Sequence, residues 1–384
     1  MHFEGNLNSK LPNTGTTIFT VMSALANKHN AINLSQGFPD FSCHPKLVEL
    51  VTRQMKSGAN QYAPMAGVAQ LREQIALKTQ KLYGALYDVD NEITVTAGAT
   101  QALQVAMTAF LNEDDEVIVF EPAYDSYQPC IQLNKARAVY YTMEAPNYEI
   151  DWKRVMKLMN QRTKMIIINT PHNPTGTVLK QEDLEQLERI LRGTDIMVLS
   201  DEVYEHIVFD NEKHQSVSRF KELRERSIIV SSFGKTFHTT GWKIGYVLAP
   251  ENLTKEFRKV FQFAQFSVST PMQFAIAEFL QEEEHYLELS DFYQKKRDLF
   301  ASFLSVSKFK PLQCSGTYFQ CVDYSSISDE EDVKFSERLT KEFGVASIPV
   351  SPFYKNEVNQ NVIRFCFAKN EETLKKAGEI LCKI

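Results

Sequence analysis

The stretch Ser231–Tyr246, "SSFGKTFHTTGWKIGY", places two lysines, Lys235 and Lys243, eight residues apart among small polar residues and glycines. It runs on from a short apolar segment, "RSIIVSSF". A lysine there is either a solvated surface charge or an amine kept for chemistry. The chemical reading is covalent bonding to a carbonyl cofactor, which needs an amine of depressed pKa and an anchor for the cofactor's anionic group. Two motif likenesses fail. "FGKT" ends like a phosphate-binding P-loop, but Ile229 stands where that motif needs its first glycine. "SFGK" fits the S-x-x-K of serine acyl-enzymes, yet neither S-D-N nor K-T-G occurs in the chain.

The surrounding elements decide what such a lysine faces. Apolar runs at 92–98, 115–122, 163–171, 195–204, 226–233 and 242–250 read as strands. Segments of helical period, such as 99–111 and 181–193, lie between them. This alternation predicts an α/β fold with a mostly parallel sheet covered on both faces. Sites of such sheets lie beyond the carboxyl ends of the strands. Five strand ends carry polar or aromatic groups: Gly98-Ala99-Thr100, Tyr124, Asn173, Asp201 with Tyr204, and Ser232 with Lys235. Each has an ordinary reading alone. Asn173 suits a turn in "NPTG", Asp201 a helix cap, the tyrosines a core rim. Their joint placement points to one cleft. Helices over 251–305, then "GTYFQCVDY", a helix near 330–343, "NVIRFCFA" and a last helix predict a smaller α+β C-terminal domain. The expected limits are 1–44 for an N-terminal arm and part of the small domain, 45–285 for the large domain, and 286–384 for the small one.

Composition narrows the classes. The net charge is −6 and no basic block occurs, which removes the electrostatic footing for nucleic acid or an anionic membrane. The N-terminus has no signal-peptide pattern, and no apolar run nears the ~20 residues of a membrane helix. Cysteines 43, 130, 314, 321, 366 and 382 form no CxxC pair and no zinc spacing, so no metal site is expected. They read as free thiols of a cytoplasmic protein. The acidic stretches "QEEEH" and "SDEEDVK" read as solvated helix starts and loop.

Pyridoxal phosphate matches the inventory of the cleft. Its phosphate would sit at the 98–100 helix start, where backbone N–H groups are free, helped by Ser232 and Lys243. Its aldehyde would join Lys235. Asp201 would pair with the pyridinium nitrogen. Asn173 and Tyr204 would reach the phenolic oxygen, and Tyr124 would stack on the ring.

The motifs "TAGATQAL", "EPAYDSY", "NTPHNPTG", "SDEVYEHI", "SSFGKTFHTTGWKIGY" and "IRFCFA" resemble those of class I aminotransferases of the aspartate-aminotransferase superfamily, fold type I, over nearly the whole chain. "LPNTGTTIFTVMSALA", "INLSQGFPDF" and "GANQYAPMAG" bring it nearest the methionine aminotransferases and the related kynurenine/glutamine-phenylpyruvate transaminases. The resemblance implies the cofactor roles above, with Lys235, Asp201 and Tyr204 catalytic. It implies that Arg364 grips the substrate α-carboxylate and that Gly37 contacts it through backbone. It implies that Tyr62 reaches a partner subunit's cofactor, so that a homodimer shares its active sites. Ile18 and Phe19 would line the side-chain pocket, with Phe266 and Val268 added from the partner subunit. The implied reaction is ping-pong transfer of an amino group from methionine, or an aromatic or other apolar amino acid, to a 2-oxo acid. Kynurenine-type relatives carry tryptophan where Phe19 aligns and histidine where Ser269 aligns, which disfavours kynurenine. The alternative is cysteine-conjugate β-lyase or kynurenine/glutamine transaminase activity on the same site.

Overall fold

The apolar runs become strands because β-branched residues pack well on a pleated sheet covered on both faces. In the computed structural model, which describes residues 1–2 and 4–384, β1 (Ile32–Asn33) precedes seven strands of one sheet. These are β2 (Ile93–Thr96), β3 (Glu116–Glu121), β4 (Arg137–Thr142), β5 (Thr163–Asn169), β6 (Met197–Asp201), β7 (Ser227–Ser232) and β8 (Gly245–Leu248). Their order is β2-β8-β7-β6-β5-β3-β4. Every neighbouring pair is parallel except the two that β8 makes with β2 and β7. Ile166, Val198, Ile228 and Val230 are fully buried in the central strands. Each such side chain contributes roughly 1.5–3 kcal/mol of burial.

Two details depart from the sequence reading. The last apolar run begins its strand at Gly245, not at Trp242. Lys243 has φ 57°, a left-handed conformation that ends the preceding turn. The edge strand β4 escaped the reading. Its apolar run, Ala138–Tyr141, is only four residues long and mostly half-buried, so it is a weaker signal than the central strands give.

A second hydrophobic cluster lies C-terminal to the sheet. It includes Tyr293, Phe300, Tyr318, Phe319, Phe335, Ile363 and Phe365, and also takes in Leu34, Tyr204 and Phe209. Its sheet joins β9 (Lys310–Pro311), β10 (Phe319–Asp323), β12 (Ile348–Pro349) and β13 (Val362–Cys366) in the antiparallel order β12-β13-β10-β9. The N-terminal β1 pairs in parallel with β11 (Val345–Ala346), so residues near 32–34 are built into this part of the chain. The stretch "SDEEDVK" is not wholly solvated. Asp332 is buried and accepts hydrogen bonds from the Ser351 backbone and hydroxyl, both at 2.6 Å. Among the described residues, no helix is long and apolar enough to cross a membrane.

Candidate active site

The carboxyl ends of the parallel strands open on a cavity of about 150 Å³. Nine residues singled out from sequence line it: Ala99, Thr100, Tyr124, Asn173, Asp201, Tyr204, Ser232, Lys235 and Lys243. At one end the helix Ala99–Phe110 begins at Gly98, whose φ of 79° suits glycine. The first N–H groups of a helix have no partner within it and suit an anion. Lys243 reaches this end because β8 runs against its neighbours, which brings the start of the strand to the site edge. Close approach is enforced here. A Cβ on Gly98 would lie 3.2 Å from Lys243 Cε, and one on Gly245 would lie 2.7 Å from the Ser231 carbonyl oxygen.

Asp201 closes β6 and is 3% exposed. Its Oδ2 accepts a hydrogen bond from the Tyr127 hydroxyl at 2.7 Å. Burial pushes its carboxyl up to about 6, against the Tyr127 hydrogen bond and the Val203 N–H. Lys235 stands just past β7 in the turn Phe233–Thr236. Its Nζ contacts the Tyr318 hydroxyl at 2.8 Å and the Gly37 carbonyl at 3.3 Å. Burial lowers its pKa to about 8, with the charges of Lys243 and Arg364 adding to the fall. Tyr204 packs edge-on to Tyr318, centroids 5.2 Å apart, and burial pushes its hydroxyl up.

Arg364, on β13, is fully buried. Its Nη1 donates to Asn173 Oδ1 at 2.6 Å and its Nη2 to the Ser35 carbonyl at 3.5 Å. Its Nε has no partner. The guanidinium lies 3.7 Å from the centroid of Phe319, 5.4 Å from Phe19 and 5.6 Å from Phe353. Gly37 sits against Phe319, where a Cβ would come within 2.9 Å of the ring.

Ile18 packs in a third cluster with Met22 and Val350, the cluster that also holds the Phe19 and Phe353 near Arg364. Tyr62 is 81% exposed and meets Phe266 of its own chain at 5.3 Å. Val268 does not fit the expectation that it serves a partner subunit. It is 5% exposed, inside the core of its own large sheet, and has no surface to offer. The reading missed Tyr127, Tyr318 and Asn169. Tyr127 lies one helical turn past Tyr124 in the quoted "EPAYDSY", and Asn169 ends β5 just as Asp201 ends β6, so both had a positional signal. Asn169 Nδ2 donates to the Asp201 carbonyl, and its Oδ1 accepts from the Asn173 N–H, each at 2.8 Å. Nothing local marked Tyr318.

Residues 29–381 match the family described as aminotransferase class I and II. This chain belongs to that family. As an aminotransferase it acts on an amino acid and a 2-oxo acid with pyridoxal phosphate as cofactor. It is 52% identical to the methionine aminotransferase of Escherichia coli strain K12, over 97% of each chain. It is 33% identical to the kynurenine–oxoglutarate transaminase of Dictyostelium discoideum, over 96% of this chain and 94% of that one. The crystal structure of YbdL from Escherichia coli, reported with a methionine aminotransferase function, superposes with a TM-score of 0.97. That match has 51% identity and covers 99% of this chain and 100% of that one. The aminotransferase fold is thus the α/β, fold type I arrangement: a large, mostly parallel sheet with a smaller α+β part. The residues present fit the cofactor and its amino acid. A glycine-walled helix start beside a lysine suits a phosphate, buried Asp201 lacks a cationic partner at hydrogen-bond distance, and Arg364 has an unused N–H.

Proposed function

We propose that this aminotransferase takes the amino group from methionine and from aromatic or other apolar L-amino acids. The observation that carries this reading is the setting of Arg364 among Phe19, Phe319 and Phe353. A guanidinium binds a carboxylate through two parallel hydrogen bonds. Three rings beside it offer an apolar wall to the rest of the substrate. A thioether against aromatic rings gains about 0.3–1.5 kcal/mol, which favours methionine without excluding phenylalanine, tyrosine or leucine. The 52% identity to a methionine aminotransferase supports the same choice.

Pyridoxal phosphate, when bound, supplies an aldehyde that captures an amino group and a ring that accepts an electron pair. The chain's residues do the rest. The Gly98–Thr100 helix start, Ser232 and Lys243 hold the phosphate. Tyr124 covers the ring face. Asp201 holds the ring nitrogen protonated, and Asn173 and Tyr204 bind the phenolic oxygen. Lys235 anchors the cofactor and then, as a free amine, takes the α-proton on Nζ and gives it back elsewhere. General-base work of this kind contributes ~10²–10⁴-fold.

Supporting a homodimer, Tyr62, Phe263 and Phe266 are 81%, 88% and 51% exposed, and Tyr62 packs edge-on to Phe266. We assign Tyr62 to the partner subunit's cofactor site. Six free cysteines fit a reducing cytoplasm.

The test is a single-turnover absorbance scan of the cofactor-loaded enzyme with L-methionine and no oxo acid. The yellow cofactor absorbance should fade and return on adding a 2-oxo acid, while Lys235→Ala should show no turnover. An unchanged scan with methionine would remove the substrate assignment. Near-normal turnover by Lys235→Ala would remove the catalytic one.

A further inference from the structure

We propose that Tyr318 is a positioning residue for Lys235: with the Gly37 carbonyl it anchors one N–H bond of the free amine and so fixes where Nζ stands beside the cavity. This rests on the reading of Lys235 as the cofactor-linking base.

A phenol has one proton to give. Tyr318 gives it to the Gly37 carbonyl at 2.5 Å. Toward Lys235 Nζ, 2.8 Å away, the hydroxyl oxygen therefore accepts. The Gly37 carbonyl, 3.3 Å from the same Nζ, only accepts. A neutral lysine amine has two N–H bonds and one lone pair. The two acceptors stand 2.5 Å apart on one side of Nζ, so one N–H bond is shared between them and the other N–H bond and the lone pair remain free.

Both acceptors are held rigidly. Tyr318 is 1% exposed and meets Tyr204 at 88° and Phe319 at 71°. Burial keeps its hydroxyl protonated, well above the ordinary tyrosine pKa. The Gly37 peptide is tied on both sides by Lys369, whose Nζ donates to the Phe38 carbonyl at 2.8 Å and the Gln36 carbonyl at 3.5 Å. A free lysine stem has many rotamers, and two fixed acceptors select one arrangement among them.

The arrangement also balances the proton. When the substrate α C–H bond breaks, an N–H bond forms at the lone pair of Nζ and the electron pair of the broken bond is left to the cofactor ring. Nζ then has three N–H bonds. One still points at Tyr318 and Gly37, and the other two, the transferred proton's among them, are free of these acceptors and able to return it.

Tyr318→Phe removes one acceptor and little volume. Cofactor-free variant and wild type are mixed with pyridoxal phosphate, sampled into borohydride, and the modified peptide is weighed. Both proteins should carry the cofactor on Lys235 to the same final extent, the variant roughly ten-fold more slowly. In the loaded enzyme, the methionine half-reaction should slow by roughly ten- to a hundred-fold, as misplaced reacting groups do. The effect of α-deuteration should increase, and the methionine concentration for half-maximal rate should stay unchanged. An uptake rate and a deuterium effect equal to wild type would overturn the proposal. Failure of the wild type to link through Lys235 would overturn the underlying assignment of Lys235 instead. Should Tyr318→Phe melt early, Lys369→Met loosens the other acceptor. It should show the same slowed uptake with a raised deuterium effect, and wild-type values there would equally count against the proposal.

Discussion

Lys235 and Asp201 are both pushed toward neutrality by burial, one down to about 8 and the other up to about 6. For Lys235 the neutral amine is the reactive form. In the cofactor-free enzyme about a tenth of it is neutral at pH 7 and about nine-tenths at pH 9, given a pKa of about 8. Uptake of pyridoxal phosphate should therefore rise about ten-fold between those values and level off above pH 9. An ordinary lysine would keep gaining rate beyond pH 10. Stopped-flow absorbance across this range distinguishes them, and a rate still climbing at pH 10 would place Lys235 in water rather than in the site.

At the scale of elements, the turn that carries Asp201 and Tyr204 rests on a buried charge network. Lys78 Nζ, with its side chain 3% exposed, lies 2.7 Å from Glu205 Oε1 and 2.8 Å from the Tyr246 hydroxyl. Tyr83 and Ser231 also donate to Glu205. Burial pushes the Glu205 carboxyl up, but Lys78, His206 and these hydrogen bonds together hold it well below the usual carboxylate range. The network joins the helix Ala69–Tyr83 to β7, β8 and the segment after β6. Removing one partner of a buried pair leaves the other charge uncompensated. Lys78→Met should cost about 3–5 kcal/mol in urea unfolding at pH 7. Because the Glu205 pKa is depressed, its stabilisation is present above the ordinary carboxylate pKa and is lost only as pH falls through the lowered one. The gap between wild type and variant should then narrow in strong acid. A loss under about 1 kcal/mol, the size of an exposed ion pair, would show that water reaches the network.

For the whole molecule, the site is an assembly of distant parts: Gly37 from the N-terminal segment, Lys235 from the large sheet, and Tyr318 and Arg364 from the C-terminal sheet region. The exposed aromatic residues Tyr62, Phe263 and Phe266 carry the proposal of a second copy. Sedimentation equilibrium should give twice the 44.0 kDa chain mass. A 44.0 kDa species at micromolar concentration would remove the shared-site assignment.

What the sequence determined by itself was the local chemistry: which residues stand at strand ends, and that Gly98, Asp201 and Lys235 follow runs buried on both faces. Those signals are readable because burial on both faces produces apolar runs, and a run's end is where polar groups resume. Tertiary structure alone decided the rest. The reversal of β8 brings Lys243 to the anion end, and no local pattern encodes strand direction. Val268 faces its own core, and Asp332 is buried against Ser351, because packing partners far along the chain cover them. Tyr318 meets Lys235 across 83 residues and Gly37 across 281. Such contacts are fixed by how two sheets close on one another, a balance of burial and hydrogen bonding summed over the molecule.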